Sequence, residues 1–318
     1  MNQSNLKKLQ NLLKEKDIDI FVINRSDEYL NEYISPNAER LNFITNFSGS
    51  AGRAIITPTD AFLYVDGRYT FQANTQINAK EIQAKHLNNF WTDLEKILLE
   101  EEYKIALDPT LHSIIEIEKV EKMLENSTSQ LQLIDKNFVD LIWENQPKTQ
   151  YTDIFDHPTS FAGQGRREKL DILKKFLDQN EIDHYFVSGL DNIAWLLNLR
   201  ADDIKYTPLL YSYLLISKNN KHSLYVKESS MPEILKKEIQ TLININNIEN
   251  IGSIFNNINS SESIGLDFNS TTFYFLDLLR KQKINTKNLA NPCILLKAIK
   301  NETELDGAKK AHIRDGVS

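Results

Sequence analysis

An internal repeat constrains the fold of this chain more than any other feature of its sequence. Leucines at positions i, i+3 and i+7 predict an amphipathic helix at the start of each copy. The first copy has Leu6, Leu9 and Leu13, and the second, 164 residues later, has Leu170, Leu173 and Leu177. Each helix is followed by a short apolar segment, residues 18–23 or 182–187, that predicts a buried strand. The sequence therefore predicts two domains of one architecture.

The repeat continues beyond these elements with a changing offset. Residues 43–47 match 195–199, residues 63–65 match 224–226, and residues 105–108 match 264–267. The offset changes only between elements, as loop insertions require. Strand pairs around short polar turns, alternating with helical segments, predict a mixed sheet covered by helices, that is, an α/β fold. We place the domains at residues 1–156 and 157–300, followed by a short segment at 301–318.

Charge and cysteine content exclude several classes of protein. The 318 residues include 37 basic and 44 acidic side chains, giving a net charge of −7. This balance argues against nucleic-acid binding and against a membrane-surface protein, since both need concentrated positive charge. Cys293 is the only cysteine, so neither an internal disulfide nor a thiolate metal cage can form. With no apolar run at the N-terminus and no stretch long enough to span a bilayer, we expect a cytoplasmic protein.

The residues alone identify no active site. The histidines are scattered without metal-ligand spacing, and we interpret them as single surface side chains: His86, His112, His157, His184, His222 and His312. The acidic pair Asp202-Asp203 follows Arg200 and fits either a metal or substrate site or, as we favour, a solvated loop edge. The glycines of residues 49–53 lack the lysine of a phosphate loop and precede a strand, so they predict a tight turn that needs the backbone freedom of glycine. Asp66 before Gly67 predicts another turn.

The end of the chain carries a helix-start signal. Asn301 followed by Glu304 is typical of a helix N-terminus with a side-chain cap. Leu305 and Ala308 then recur at helical spacing, and no terminating signal follows. A helix with an apolar stripe needs a surface to pack against, so we expect the fold to continue beyond Ser318.

Three groups of segments, in order along the chain, carry a resemblance to a known family. Residues 31–36, 40–52 and 66–69 resemble the first domain of Xaa-Pro aminopeptidases, in their long, three-domain form. Residues 191–200 with Asp203 and Ile204 resemble the second domain, although Ala201 stands where the family usually has glycine. Residues 297–305 resemble the entry into the third, catalytic domain.

The resemblance implies that each repeat is a creatinase/prolidase N-terminal domain with a six-stranded mixed sheet flanked by helices. The family removes the first residue from peptides with proline in second position. It uses two divalent metals, commonly manganese, bound in a pita-bread catalytic domain whose five ligands have no counterpart in this sequence. We therefore expect a non-catalytic N-terminal part, inactive alone, with neither catalytic nor metal-binding residues and no cofactor of its own. Residues 301–318 would begin the first helix of the truncated catalytic domain.

The resemblance also implies partners and a candidate site. In the family, the N-terminal domains restrict access to the catalytic cleft and contribute to dimer contacts, so the implied partners are the catalytic domain, the peptide substrate and a second copy. Arg200, Asp203 and Tyr206 are our candidates for the cleft edge, with Asp203 and Tyr206 supporting Arg200. An ion pair between domains, without substrate contact, is the alternative role for Arg200. A stand-alone binding or scaffold protein is the alternative function, and a complete enzyme at Asp202-Asp203 or Asp66 is poorly supported.

Overall fold

The computed structural model describes residues 3–318, which divide into two compact units. One unit extends to Thr149 and includes Thr272–Tyr274, and the other comprises Gln150–Thr271 and Phe275–Ser318. Each unit contains a six-stranded sheet with both parallel and antiparallel pairs, flanked by helices. The predicted α/β class and the predicted repeat are therefore confirmed. The boundary between residues 156 and 157 stays a prediction.

The first unit alternates helices with strands, beginning with the predicted leucine helix. Its helices are α1 (Asn5–Glu15), α2 (Arg40–Thr45), α3 (Thr70–Gln76), α4 (Phe90–Glu100), α5 (Ile114–Leu124) and α6 (Phe138–Ile142). Its strands are β1 (Ile20–Asn24), β2 (Gly52–Ile56), β3 (Ala61–Val65), β4 (Gln83–His86), β5 (Lys104–Leu107) and β6 (Gln130–Leu133). Short 3₁₀ turns occupy Pro36–Ala38, Gly67–Tyr69 and Leu87–Asn89.

The sheet of the first unit has the order β4-β3-β2-β1-β5-β6. The predicted hairpin forms β2 and β3, which pair antiparallel, as do β1 and β2. The pairs that include β4, β5 or β6 are parallel, each reached through a helical crossover. Leu9 and Leu13 of α1 are fully buried against this sheet together with Phe21. The leucine stripe therefore marks the core, as the spacing predicts.

Gly49 and Gly52 of the predicted turn at residues 49–53 pack closely against the ring of Phe47. A Cβ atom at Gly49 would overlap the ring of Phe47, and one at Gly52 would lie 3.0 Å from Cε1 of that ring. Neither glycine has a positive φ angle. The prediction of glycine backbone freedom was wrong here, because the requirement is space beside a buried aromatic ring. Asp66 caps the 3₁₀ turn at Gly67–Tyr69 by accepting from Arg68 N, so the turn predicted there is confirmed.

The second unit repeats the same order of elements. Its helices are α7 (Thr159–Ala162), α8 (Arg166–Gln179), α9 (Leu190–Leu197), α10 (Glu233–Gln240), α11 (Phe273–Lys281), α12 (Pro292–Ala298) and α13 (Glu302–Gly316). Its strands are β7 (Phe155–Asp156), β8 (His184–Val187), β9 (Leu199–Arg200), β10 (Ser212–Ser217), β11 (His222–Val226), β12 (Ile243–Asn247), β13 (Ser263–Leu266) and β14 (Asn285–Asn288). Short 3₁₀ segments occupy Glu228–Ser230 and Ile248–Ser253.

The second six-stranded sheet has the order β12-β11-β10-β8-β13-β14, which matches the first strand for strand. Its middle strands β8, β10 and β11 are antiparallel, and the outer pairs are parallel. Leu173 and Leu177 of α8 are fully buried in its core. A separate two-stranded sheet joins β7 to β9, with Phe155 opposite Arg200.

Both units use a buried aspartate at the end of a parallel strand to hold the helix that completes the repeat. Asp108 follows β5, and its Oδ2 accepts a 2.9 Å hydrogen bond from the side chain of Asn137, the N-cap of α6. Asp267 follows β13, and its Oδ2 accepts from the backbone N of Asn291, the N-cap of α12, at 3.1 Å. Each aspartate therefore fixes a helix N-terminus to a strand end.

Candidate functional site

Arg200, the first candidate for the cleft edge, is a half-buried cation held by carbonyl groups. It ends β9, and its Nη1 donates to the carbonyl oxygens of Ala194 at 2.6 Å and Leu199 at 2.9 Å. Within residues 3–318 it forms no ion pair, and its Nε and Nη2 make no hydrogen bond. Burial lowers the pKa of the guanidinium from its ordinary value. The Nε and Nη2 groups of this guanidinium can therefore donate hydrogen bonds to a carboxylate or a carbonyl oxygen.

Asp203, the second candidate, closes a loop. Its Oδ1 accepts hydrogen bonds from Thr152 N at 2.7 Å and from Thr152 Oγ1 at 3.0 Å, and its Oδ2 accepts from Tyr211 N at 2.9 Å. Burial raises the pKa of this carboxyl, and the hydrogen bonds, which lower the pKa, only partly offset that effect. The interpretation of the acidic pair as a solvated edge holds for Asp202, which is exposed, but was wrong for the half-buried Asp203.

Tyr206, the third candidate, lies at the tip of the same loop. It is 90% exposed and has a φ of 64°, and Ile204 and Thr207 form an antiparallel bridge across it. The ammonium of Lys205 lies 4.8 Å from the centre of its ring. Asp203 and Tyr206 make no hydrogen bond with Arg200 among the described residues. Asp203 and Tyr206 thus lie in the loop that follows β9, whose last residue is Arg200, and the three candidates do not form one cluster.

Lys169 is a functional-site candidate that the sequence reading missed. Its side chain is 1% exposed, and its Nζ donates to the carbonyl oxygen of Trp195 at 2.7 Å and to Asn198 Oδ1 at 2.8 Å. The Nζ also lies 4.2 Å from the centre of the Trp195 ring. Burial lowers the pKa of Lys169 to about 8. Its position four residues before Leu173, on the leucine face of α8, was the available signal.

Positive charge collects around the end of α9. Burial lowers the pKa of His157, and the nearby charges of Arg200 and Lys169 lower it further. Arg166 donates its Nε to the carbonyl oxygen of Leu197 at 2.9 Å and pairs with two acids of its own unit. Because Arg166 is paired with acids, Arg200 and Lys169 are the cations of this region that have no ion pair within residues 3–318, and such cations suit an anionic or carbonyl-bearing group.

The first turn of α13 is attached beside this cluster. The predicted cap is confirmed, because Asn301 and Glu304 form a reciprocal capping box with bonds of 2.9 Å. Glu304 also accepts from Trp195 Nε1 at 3.2 Å, and Asn301 Nδ2 donates to the carbonyl oxygen of Ala162 at 2.9 Å. The predicted apolar stripe is exposed, with Leu305 46% accessible, although the helix remains regular through Gly316.

Three of the six histidines are buried, so their interpretation as surface side chains was wrong. His112 Nδ1 bonds the carbonyl oxygen of Asp108 at 2.9 Å, and His184 Nδ1 bonds Ser217 Oγ at 2.9 Å. His222 Nδ1 accepts from Ser217 N at 3.1 Å. A neutral imidazole that has such a partner can lie in a core, and position along the sequence does not reveal the partner.

Residues 3–318 contain neither a metal-binding cluster nor a membrane-spanning helix. No group of three or more His, Cys, Asp or Glu side chains there could hold a metal ion. In the same part of the chain, no helix combines the length and the apolar character needed to cross a bilayer.

Both halves of the chain match profiles described as the creatinase/prolidase N-terminal domain. One profile matches residues 5–136, and a second matches residues 145–304. A probable Xaa-Pro aminopeptidase P of Ajellomyces dermatitidis is 31% identical over 332 residues, which cover 98% of this chain and 53% of that protein. Its counterpart in Sordaria macrospora is 33% identical over 330 residues, with the same two shares. The chain thus spans about half the length of these curated relatives.

A solved structure has the same fold as the described chain. It is the X-prolyl aminopeptidase of Caenorhabditis elegans, described as a cytosolic enzyme with a di-nuclear active site. The TM-score is 0.90 at 24% sequence identity, and the match covers 98% of this chain and 53% of that one. The likeness concerns the fold of both domains.

Proposed function

Because the chain belongs to the creatinase/prolidase N-terminal domain family, we propose that it is the non-catalytic, two-domain N-terminal part of a metal-dependent Xaa-Pro aminopeptidase. One observation carries this proposal: relatives named Xaa-Pro aminopeptidase P align with 98% of this chain, and that alignment uses only 53% of their own length. The remaining half of such a protein would supply the chemistry.

The whole protein would remove the first residue from peptides with proline in second position. Two divalent metals, proposed to be manganese, would activate the attacking water in the catalytic half. No residue cluster described here fits those metals, so no step of the reaction is assigned to this chain. We place the protein in the cytoplasm, as the Caenorhabditis elegans enzyme is described as cytosolic.

Exposed apolar side chains near the C-terminus support packing against a catalytic domain. On α12, Ile294 and Leu295 are exposed, and Ile299 follows them. On and after α13, Ile313 and Val317 are exposed as well. These five exposed apolar side chains, all within residues 294–317, are the observation that supports packing against a further domain. The same part of the chain holds Glu304, which ties α13 to Trp195.

The role proposed for the second unit is to shape access of the peptide to the catalytic site. Arg200 would bind a carbonyl or carboxylate group of the peptide through Nε and Nη2, since Nη1 is occupied by two backbone carbonyls. Asp203 would act indirectly, because its bonds to Thr152 and Tyr211 set the loop conformation. We also propose that two copies of the whole protein form a homodimer.

Kinetics of the whole protein test the proposal. Arg200→Ala should raise KM about tenfold for an Xaa-Pro-Xaa peptide with little change in kcat, because a charge-assisted hydrogen bond to bound peptide is lost. Arg167→Ala is the matched control, since Arg167 is an exposed arginine of the same unit. Manganese-dependent release of the first residue is the measurement, and sedimentation reports the dimer.

The 318-residue chain alone should release no first residue with added manganese. Turnover by the purified chain that a chelator abolishes would contradict the proposal. A reading frame that stops after Ser318 would favour the stand-alone binding protein instead. If Arg200→Ala leaves KM, kcat and stability unchanged, Arg200 has no role at the cleft edge.

A further inference from the structure

The second unit contains a polar cavity of about 820 Å³ on one face of its sheet. Side chains of β10, β11 and β12 form the floor, where Tyr225 lies opposite Asn246 in the parallel pair of β11 and β12. Residues 254–262 and the turn that contains Lys221 form the rim. All of the lining therefore comes from one unit.

The corresponding face of the first unit is covered by a helix. Tyr64 of β3 corresponds to Tyr225, and its register partner Lys85 corresponds to Asn246. The carboxylate of Asp93, on α4, accepts from Tyr64 Oη at 3.0 Å and from Lys85 Nζ at 2.8 Å. The eleven-residue helix α4 thus occupies the space that is open in the second unit.

The second unit lacks a comparable helix at this point of the repeat. After β12 the chain forms the six-residue 3₁₀ segment Ile248–Ser253, and the described residues up to β13 contain no α-helix. Asn246 stands where the first unit has the lysine that pairs with its helix. The cavity therefore lies where the first unit has a covering helix and the ion pair that attaches it.

Several polar groups in the cavity lack partners. The side-chain amides of Gln240, Asn244, Asn246 and Asn257 are exposed or half-buried and make no hydrogen bond among the described residues, so they are available to a ligand. His184 is only 6% exposed, yet its Nε2 is buried without a hydrogen-bond partner, and Glu262 Oε1 lies 3.6 Å away. Buried polar atoms are rarely left unpaired in native proteins, so His184 Nε2 is the one buried group of the cavity lining that a ligand would satisfy within residues 3–318.

The balance of charge and hydrogen-bonding groups defines the class of ligand. Lys221 and Glu262 contribute one charge of each sign, and the remaining polar lining is made of amides, hydroxyls and the His184 imidazole. Amide and hydroxyl groups both donate and accept, as sugar hydroxyls do. Small-molecule sites have volumes of roughly 300–1,000 Å³. We propose that this cavity binds an uncharged, polyhydroxylated molecule of disaccharide size, with His184, Asn246 and Asn257 among its hydrogen-bond partners.

Saturation-transfer NMR with maltose as the probe tests this site on the intact chain, independently of peptidase function. The wild type should transfer saturation to maltose at millimolar concentration. Asn246→Ala combined with Asn257→Ala should weaken the affinity about tenfold, because two hydrogen bonds are lost. Asn285→Ala, the same change at an exposed residue of β14, is the matched control and should bind like the wild type.

Three outcomes would overturn the proposal. They are no transfer to maltose by the folded wild type, equal transfer by the double variant and the wild type, and transfer to free glycine but not to maltose. If circular dichroism shows the double variant unfolded, Asn257→Trp replaces it, since the exposed Asn257 lies on the rim and a bulky ring there closes the opening. Undiminished transfer by Asn257→Trp would then count against the site.

Discussion

The ammonium nitrogen of Lys169 lies 4.2 Å from the centre of the Trp195 ring and donates a 2.7 Å hydrogen bond to that residue's carbonyl oxygen. The first unit makes the same connection with a neutral side chain, since Asn5 Nδ2 donates to the carbonyl oxygen of Phe43 at 3.1 Å. Asn5 and Lys169 are 164 residues apart, the offset of the leucine stripes. The second unit therefore places a charge where the repeat requires only a hydrogen-bond donor.

The buried charge of Lys169 should make stability depend on alkaline pH. Its pKa is about 8 in the folded chain and 10.5 as an ordinary value, so the unfolded chain binds more protons between these limits. The cost of burying the cation is complete below pH 8 and disappears as pH rises to 10.5. The free energy of unfolding of the wild type, relative to Lys169→Met, should rise by roughly 2 kcal/mol across that window.

Urea unfolding at pH 7.5, 9 and 10.5 measures this difference. Lys175→Met, an exposed lysine of the same helix, corrects for the other groups that titrate at high pH. A constant difference between wild type and Lys169→Met would show that the ammonium is not desolvated.

Loss of Asp203 should destabilise its loop much more than loss of its neighbour. Asp203→Ala leaves the backbone N–H groups of Thr152 and Tyr211 without their acceptor, at a cost of about 2–3 kcal/mol. Asp202→Ala removes an exposed carboxylate and should change stability by less than about 0.5 kcal/mol. Hydrogen exchange of residues 150–152 and 204–211 should accelerate only in the first variant, and equal exchange in both would refute the role of Asp203.

The two Asp–Asn connections should respond unequally to the same substitution. Asn137→Ala removes a helix cap and also the side-chain donor to Asp108, so it should cost about 2 kcal/mol or more. Asn291→Ala removes the cap bond to Cys293 N but keeps the backbone bond to Asp267, so about 1 kcal/mol is expected. Amide exchange in α6 and α12 provides the comparison, and a larger effect at Asn291 would contradict it.

The lack of space beside the Phe47 ring should make position 49 intolerant of any side chain larger than that of glycine. Gly49→Ala places a Cβ atom inside the aromatic ring, and the resulting displacement should cost about 1–3 kcal/mol. Gly307→Ala adds the same atom within α13, where no atom lies within 4 Å, and should stabilise the helix by about 0.5–1 kcal/mol. Thermal unfolding distinguishes the two, and a neutral Gly49→Ala would mean that the ring moves aside freely.

The sequence predicts those structural elements that depend on a single local pattern of residues. Periodic leucines, apolar strand segments and the Asn301–Glu304 cap each act locally or through simple burial, and each was found at its predicted place. The matched offsets also anticipated that both sheets would have the same strand order.

The sequence does not predict the burial of a polar side chain when that burial depends on a partner distant along the chain. The burial of Lys169 depends on Trp195 and Asn198, and the burial of His184 depends on Ser217, none of them near in sequence. The three cleft-edge candidates lie within seven residues of the chain, but their separate hydrogen bonds follow from tertiary geometry that residue spacing does not encode.

The outer strands of the two sheets have a consequence for how the chain is made. Two like sheets in one polypeptide could pair edge to edge while the chain is still folding, a known hazard of repeated domains. Polar or charged side chains occupy the outermost strands, with sequences QAKH, QLQL, ININN and NTKN for β4, β6, β12 and β14. Lys85 in β4 and Lys287 in β14 put a charge on one edge strand of each sheet, and a charged edge resists adding a foreign strand. Each of the two neighbouring copies therefore has one edge at which capture of a strand from the other copy during synthesis is disfavoured.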